Sequence, residues 1–421
     1  MTRNNAFKIT IEEVNTLIRK YEFLIENRLS FKYFSRKGKL GFENTIMMLL
    51  NFMEKSKQTE INDFFEKVIG NKVTVRKQSF DEAREKISYM AFKTLYEVSV
   101  KNGLSTEDAM LFEGFRLLAV DGSTLLLETQ EELFNYFGPS TSYKDNVYAR
   151  ISLVGDVLNN FIVDADITPY HKGEREIAVA HVEQINKLKI KNALFLYDRG
   201  YWSPKLISMM CDKRNKFLMR MSSNACKFVT DSENDNGNFV VKHEKKEYNL
   251  RFFKFALPSG EIEILATNID NATISNDKLS ELYFMRWGVE TKYGTLKTKL
   301  QMENFSGKSV LAVLQDFYST IFLSNLIAFA QYVTDDMIKD KNFDSNLKYA
   351  YKTNVNQAIG FLKDKLVIAI LENDPDKRDK LINYLFDNIS KNSIPIRPNR
   401  HFIRRESLIK FRKRAVSKTA L

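Results

Sequence analysis

Apolar residues recur at three- and four-residue spacing in four stretches of the first hundred positions, 11–29, 44–52, 61–69 and 80–98, which predicts a run of amphipathic helices. Ser79 and Glu82 form a Ser-x-x-Glu pair at the head of the last stretch, so a capped helix start is expected there. From about residue 115 the period changes. Residues 115–120, 149–157, 161–167, 193–197 and 216–221 are short runs rich in apolar or β-branched side chains, which predicts five strands. Between the third and fourth, residues 173–188 place Ile177, Val179, Ala180, Val182, Ile185 and Leu188 on an apolar helix face.

Residues 222–271 alternate a turn cluster at 231–238 with strand-like runs at 239–242, 248–255 and 261–267, and read as a β-rich insertion. Helical periods return at 276–300, 309–333, 354–371 and 376–389, with Asn373-Asp374-Pro375 as loop punctuation. The stretch 317–331 is the most apolar, yet Ser319, Thr320, Ser324 and Asn325 interrupt it below the ~20 residues a membrane span needs. It reads as a buried helix, and no membrane partner is expected.

Charge narrows the class of partner. The 421 residues carry a formal charge of +11 with 44% hydrophobic content, an ordinary globular composition with a basic excess that favours a polyanion. Residues 391–421 hold ten Lys or Arg against one acid, Glu406, so the excess is concentrated in the tail. Arg404, Arg405, Arg412, Lys413 and Arg414 are its densest cluster, expected either on phosphate backbones or simply in solvent. Lys72, Arg76, Lys77, Arg84 and Lys86 offer a second basic group, on DNA or on a solvated helix face. Two cysteines, Cys211 and Cys226, exclude a disulfide framework and a zinc knuckle, and the N-terminus lacks a signal-type apolar run, so a reducing, cytoplasmic setting is expected.

Three acids stand out. Asp121 follows Leu117-Leu118-Ala119-Val120 and precedes Gly122-Ser123; Asp198 follows Ala193-Leu194-Phe195-Leu196-Tyr197 and precedes Arg199-Gly200-Tyr201. Each is expected where a strand leaves its sheet, a common place for a metal-binding acid and equally for an Asx turn. Tyr283, Arg286, Glu290 and Lys297 follow at steps of three, four and seven, which on one continuous α-helix keeps them within an arc of roughly 60°. Leu282, Met285, Val289 and Leu296 take the other side. Alone, that face is as readily a salt-bridged stripe with Glu290 on Arg286. With two strand-end aspartates it supplies what two divalent ions about 3.5–4 Å apart require, hard carboxylate oxygens.

Asp121-Gly122-Ser123, Asp198-Arg199-Gly200-Tyr201 and the Tyr283/Arg286/Glu290/Lys297 signature together resemble the bacterial insertion-sequence transposases of the YREK group, the insertion-sequence-four family. The likeness covers about residues 115–331. It implies an α/β RNase H-like catalytic core with a β-rich insertion domain before the glutamate helix, flanked by helical regions. It further implies that Asp121, Asp198 and Glu290 hold two Mg²⁺, with Mn²⁺ as a substitute, and that Tyr283, Arg286 and Lys297 contact DNA phosphates. Trp287 follows Arg286 as an aromatic does in members that stack it on a flipped base, although packing explains it equally; for Trp202 packing is the better reading. His171, Lys172 and Glu174, beyond the third predicted strand, either border the site or, as such residues more often do, cap a helix, and they are not taken as catalytic.

The expected organisation is a helical DNA-binding region at 1–110, the core at 111–221 and 272–335, the insertion at 222–271, and a helical region with the basic tail at 336–421. The expected activity is cut-and-paste transposition: strand cleavage at terminal inverted repeats and transfer into target DNA by a homodimer in a synaptic complex. Two rivals stay open, a structure-selective nuclease on the same core and a non-catalytic DNA-binding descendant.

Overall fold

The computed structural model describes residues 1–36, 38–51, 55–70, 73–140, 145–257, 260–342 and 347–397. Lys72 and the tail cluster Arg404, Arg405, Arg412, Lys413 and Arg414 lie outside the described residues. The chain divides into two compact units, one of Ala109–Leu125 with Phe137–Thr295, the other of Met1–Asp108, Leu126–Tyr136 and Leu296–Leu421.

The first unit is built on one mixed sheet. Its strands are β1 (Arg116–Leu127), β2 (Val147–Asp156), β3 (Phe161–Pro169), β4 (Ala193–Tyr197), β5 (Lys216–Met221), β6 (Asn236–His243), β7 (Lys246–Ala256) and β8 (Ile262–Thr267). Their order is β3-β2-β1-β4-β5-β8-β7-β6. β4 runs parallel to β1 and β5, whereas β2 and β3 are antiparallel. The bonds from Val157 N–H to Leu117 O and from Ser152 Oγ to Asp121 O progress in opposite directions, as in an antiparallel β1–β2 pair. A hairpin beside a central strand, followed by parallel strands reached through helices, is the RNase H-like arrangement. The β-rich segment adds β8, β7 and β6 to the β5 edge, all antiparallel.

Burial explains why the central strands read as unbroken apolar runs. Leu117 to Val120 and all of β4 are buried, since a parallel pair in mid-sheet is covered on both faces. The crossover helix Glu174–Lys187 buries Ile177, Ala178, His181, Val182 and Ile185. This stripe differs from the expected one: Ala180 is exposed, and His181 takes a core position with Nδ1 2.7 Å from Asp164 Oδ2. Pairing to that strand carboxylate lets a polar ring occupy an apolar stripe.

The second unit is helical. Arg3–Ile18, Tyr21–Asn27, Phe42–Leu49, Lys57–Asp63, Lys77–Arg84 and Met90–Leu104 precede Val310–Asn342, a 33-residue helix whose middle is buried core. Two of its buried polar residues are satisfied within the protein: Gln315 donates to the carbonyls of Arg84 and Ile87, and Asn325 to Ser99 Oγ.

Four sequence expectations fail in this unit. The helix at 80–98 is two helices, because Leu29 N–H bonds to Lys86 O and Ser88 N–H to Asn27 O, diverting the backbone between them to a neighbouring segment. Ser79 lies inside Lys77–Arg84, whose Arg76 N-cap makes no side-chain bond, so the capping box is not formed. Arg84 faces the core rather than DNA. It is 2% exposed and donates to Gln315 Oε1 at 3.0 Å, Ser306 Oγ at 2.7 Å, Asp316 Oδ1 at 3.0 Å and Ala312 O at 3.2 Å. The expected helix at 354–371 is likewise split, at Asp364 with φ +62°.

Candidate active site

The last register pair of the β1–β4 ladder is Val120 with Tyr197. Asp121 and Asp198 are the next residue on each strand, so two acids 77 positions apart in sequence emerge side by side where the ladder ends. Only Asp198 leaves its strand there, into a short turn at Arg199–Tyr201. Asp121 sits mid-strand, since β1 runs on to Leu127 beside β2; the expected strand end is the end of one ladder, not of the strand.

The glutamate segment is jointed. Asn276–Phe284 and Trp287–Gly294 are separate α-helices broken at Met285-Arg286, and a π-helical turn follows at Thr295–Lys299. The continuous wheel expected for the four signature residues is therefore not realised. Tyr283, Arg286 and Glu290 still converge: Arg286 donates to Glu290 Oε1 at 2.8 Å, and Tyr283 OH donates to Asp198 Oδ1 at 3.1 Å. Lys297 belongs to the helical unit, where it pairs with Glu303 at 3.3 Å.

Small residues and polar contacts fix the seat of this helix. A Cβ on Gly288 would meet Val157 Cβ at 3.1 Å, and one on Gly155 would meet Val289 at 3.6 Å, so the helix lies directly on the end of β2. Tyr293 OH donates to Asp121 O at 2.8 Å, and Lys292 Nζ to Asn160 O at 2.8 Å. Both were missed from sequence, where a Tyr and a Lys beyond the signature carry no signal without the sheet beneath them. Burial pushes the Lys292 amine down to about 7 from an ordinary 10.5.

A lysine held below its unfolded value costs stability most where it must be charged, below about pH 7, and the cost fades as pH rises toward the unfolded value. Lys292→Met is therefore expected to raise the melting temperature at about pH 6 by more than at about pH 10. Equal shifts at the two pH values in a calorimetric scan would disprove this.

Glu174, set aside in the sequence, reaches the site. Its carboxyl carbon lies 3.1 Å from where a Gly122 Cβ would be, so the glycine beside Asp121 is what admits it. Arg150, stacked 5.1 Å from the Tyr170 ring centre, orients that carboxylate with a 2.6 Å bond. Burial raises the Asp121 carboxyl to about 6, opposed by Arg286 and reinforced by Glu290 and Glu174. Three carboxylates, Asp121, Glu290 and Glu174, thus share one electrostatic environment.

Arg220 adds a cation, 3.8 Å from Asp198 Oδ1 and 2.6 Å from Glu263 on β8. Trp287 is 49% exposed with the Arg286 guanidinium 5.4 Å from its ring centre. Trp202 instead stacks on Phe239 of β6, at 6.3 Å and 19°.

The transposase DDE domain family matches residues 113–326, just over half of the chain. The chain belongs to the DDE transposases. A protein of Synechocystis sp. (strain ATCC 27184 / PCC 6803 / Kazusa), named as transposase for insertion sequence element IS4SA, is 21% identical over 282 residues, 66% of this chain and 78% of its own. Among solved structures, the piggyBac transposase synaptic complex with hairpin DNA superimposes with a TM-score of 0.49 and 11% identity, over 92% of this chain and 84% of that one.

DDE transposases act on DNA and depend on divalent metal ions. The donor set here, carboxylate oxygens, is chemically right for a hard cation. Its arrangement is not: among the described residues, no three acidic, His or Cys side chains are grouped to hold one ion. Glu290 is turned onto Arg286, and Asp198 onto Tyr283.

Proposed function

We propose that this transposase works by cut-and-paste transposition, with Asp121, Asp198 and Glu290 as the catalytic carboxylates that hold two Mg²⁺ ions, or Mn²⁺ in their place. The observation that carries the reading is the emergence of Asp121 and Asp198 at the end of one ladder, with Glu290 acting electrostatically on Asp121. When bound, the ions supply charge neutralisation and activation of the attacking oxygen. Water first attacks phosphorus at the element's end and releases a 3′-OH, and the opposite strand is cut as well, so that the element leaves its donor site. That hydroxyl then attacks a target phosphodiester, so one bond forms as another breaks and no covalent protein intermediate is needed.

The remaining roles belong to charge and shape. Arg286, Tyr283 and Lys297 bind backbone phosphates, with Arg286 suited to a two-bond contact. Trp287 stacks on a displaced base, in keeping with its exposure, a contact of about 1–3 kcal/mol. The helical region 1–110 binds the terminal repeats through a groove of about 780 Å³ lined by Lys32, Arg36, Lys39, Arg76 and Lys86. Arg404, Arg405, Arg412, Lys413 and Arg414 add non-specific phosphate contacts. Two ends held together call for a homodimer.

The test incubates the full chain with linear duplexes ending in the element's inverted repeats, a supercoiled target and Mg²⁺. Joined products are expected. Nicks without joining would leave a structure-selective nuclease, and binding without cutting a DNA-binding descendant.

A further inference from the structure

The mismatch between the donors and their arrangement has a specific origin. Arg286 is 4% exposed, and its charge acts on Asp121, Asp198 and Glu290 alike. One guanidinium nitrogen is spent on Glu290, while Nε is buried with no hydrogen-bond partner. Tyr283 OH occupies Asp198 Oδ1 in the same way. Two members of the signature thus hold two of the three carboxylates, and a buried cation neutralises the group from within. A divalent ion needs the same oxygens, and cannot share them with a neighbouring guanidinium without mutual repulsion.

We propose that Arg286 and Tyr283 form a latch that keeps the metal centre unassembled in the DNA-free chain, and that a backbone phosphate releases it. The unsatisfied Nε beside a terminal nitrogen makes the two-donor edge that pairs with two phosphate oxygens. A phosphate that takes this edge removes the guanidinium from Glu290 and supplies Nε with its missing acceptor. Glu290 then turns to Asp121, Tyr283 yields Asp198, and cation affinity rises. Metal binding and DNA binding are thereby coupled, each strengthening the other by the same factor. The inference rests on the reading of Asp121, Asp198 and Glu290 as metal ligands.

The test is Mn²⁺ binding to the full chain, followed by the paramagnetic signal of free Mn²⁺, with and without a duplex of the terminal repeat. For the unaltered chain the duplex is expected to tighten Mn²⁺ binding by about tenfold or more, the scale on which groups bonded to metal ligands act. Arg286→Gln without DNA is expected to bind Mn²⁺ about tenfold more tightly than the unaltered chain without DNA, and to gain little from the duplex. Tyr283→Phe, which keeps the ring and loses one hydroxyl, is expected to shift the same way by less. It carries the test if Arg286→Gln fails to fold.

Equal Mn²⁺ affinity with and without duplex overturns the latch, as does weaker DNA-free binding in both variants. Glu290→Gln separates the latch from the reading beneath it. Unchanged Mn²⁺ affinity in that variant with duplex present would refute the ligand assignment itself, whereas a loss there with no duplex effect in the unaltered chain would refute the latch alone.

Discussion

Asp121→Asn, Asp198→Asn and Glu290→Gln are each expected to lower strand cleavage by at least about a hundredfold, because even groups one shell beyond a metal ligand are worth 10–100-fold. Each change keeps size and shape while removing the charge that a hard cation requires. Binding to the terminal repeats, read by electrophoretic mobility, is expected to survive, since the proposed end-binding surfaces are elsewhere in the sequence. Asp121 is the most sensitive of the three: its carboxyl already sits near 6 through burial, and an amide there removes the charge around which Arg286, Glu290 and Glu174 are balanced. Strand transfer by any one of these variants at the unaltered rate would sink the assignment.

The largest effect on stability is expected away from the site, at Arg84. Its guanidinium bonds to Gln315, Ser306, Asp316 and a backbone carbonyl of the long helix Val310–Asn342. A Cβ on Gly307 would fall 3.0 Å from the same guanidinium, so the cluster has no slack. Arg84→Met is expected to cost about 3–5 kcal/mol, because it leaves a largely buried Asp316 without its cation. Urea denaturation reads this directly, with Arg76→Met, at an exposed position, as the comparison. A loss below about 1 kcal/mol would place Arg84 among ordinary surface charges.

What was legible in the chain follows from what each signal depends on. Strands β4 and β5 agree with the expected runs to the residue; in β4 two covered faces leave an unbroken apolar run bounded by turns. Asp121 was legible as a candidate but not as a mid-strand residue, because β1 continues along β2 after it has left β4. The jointed glutamate helix was hidden: a wheel drawn at constant pitch contains neither the break at Met285-Arg286 nor the π-helical turn. Glu174, Tyr293 and Lys292 depend on contacts across the fold, with Gly122, Asp121 and Asn160, and no local pattern encodes those pairings. The capping box at Ser79 failed because the helix begins two residues earlier, at Lys77, which places Ser79 inside it.

Gly288 sets a limit on how this enzyme can vary. With no side chain between helix and Val157, the height of Glu290 above the sheet is a distance of closest approach between backbone and one valine. Any larger residue at 288 acts as a shim, lifting the third acid from the other two while leaving every charge in place. Loss of cutting would then come without any change in composition of the site, and a smaller residue at Val157 would be its natural remedy.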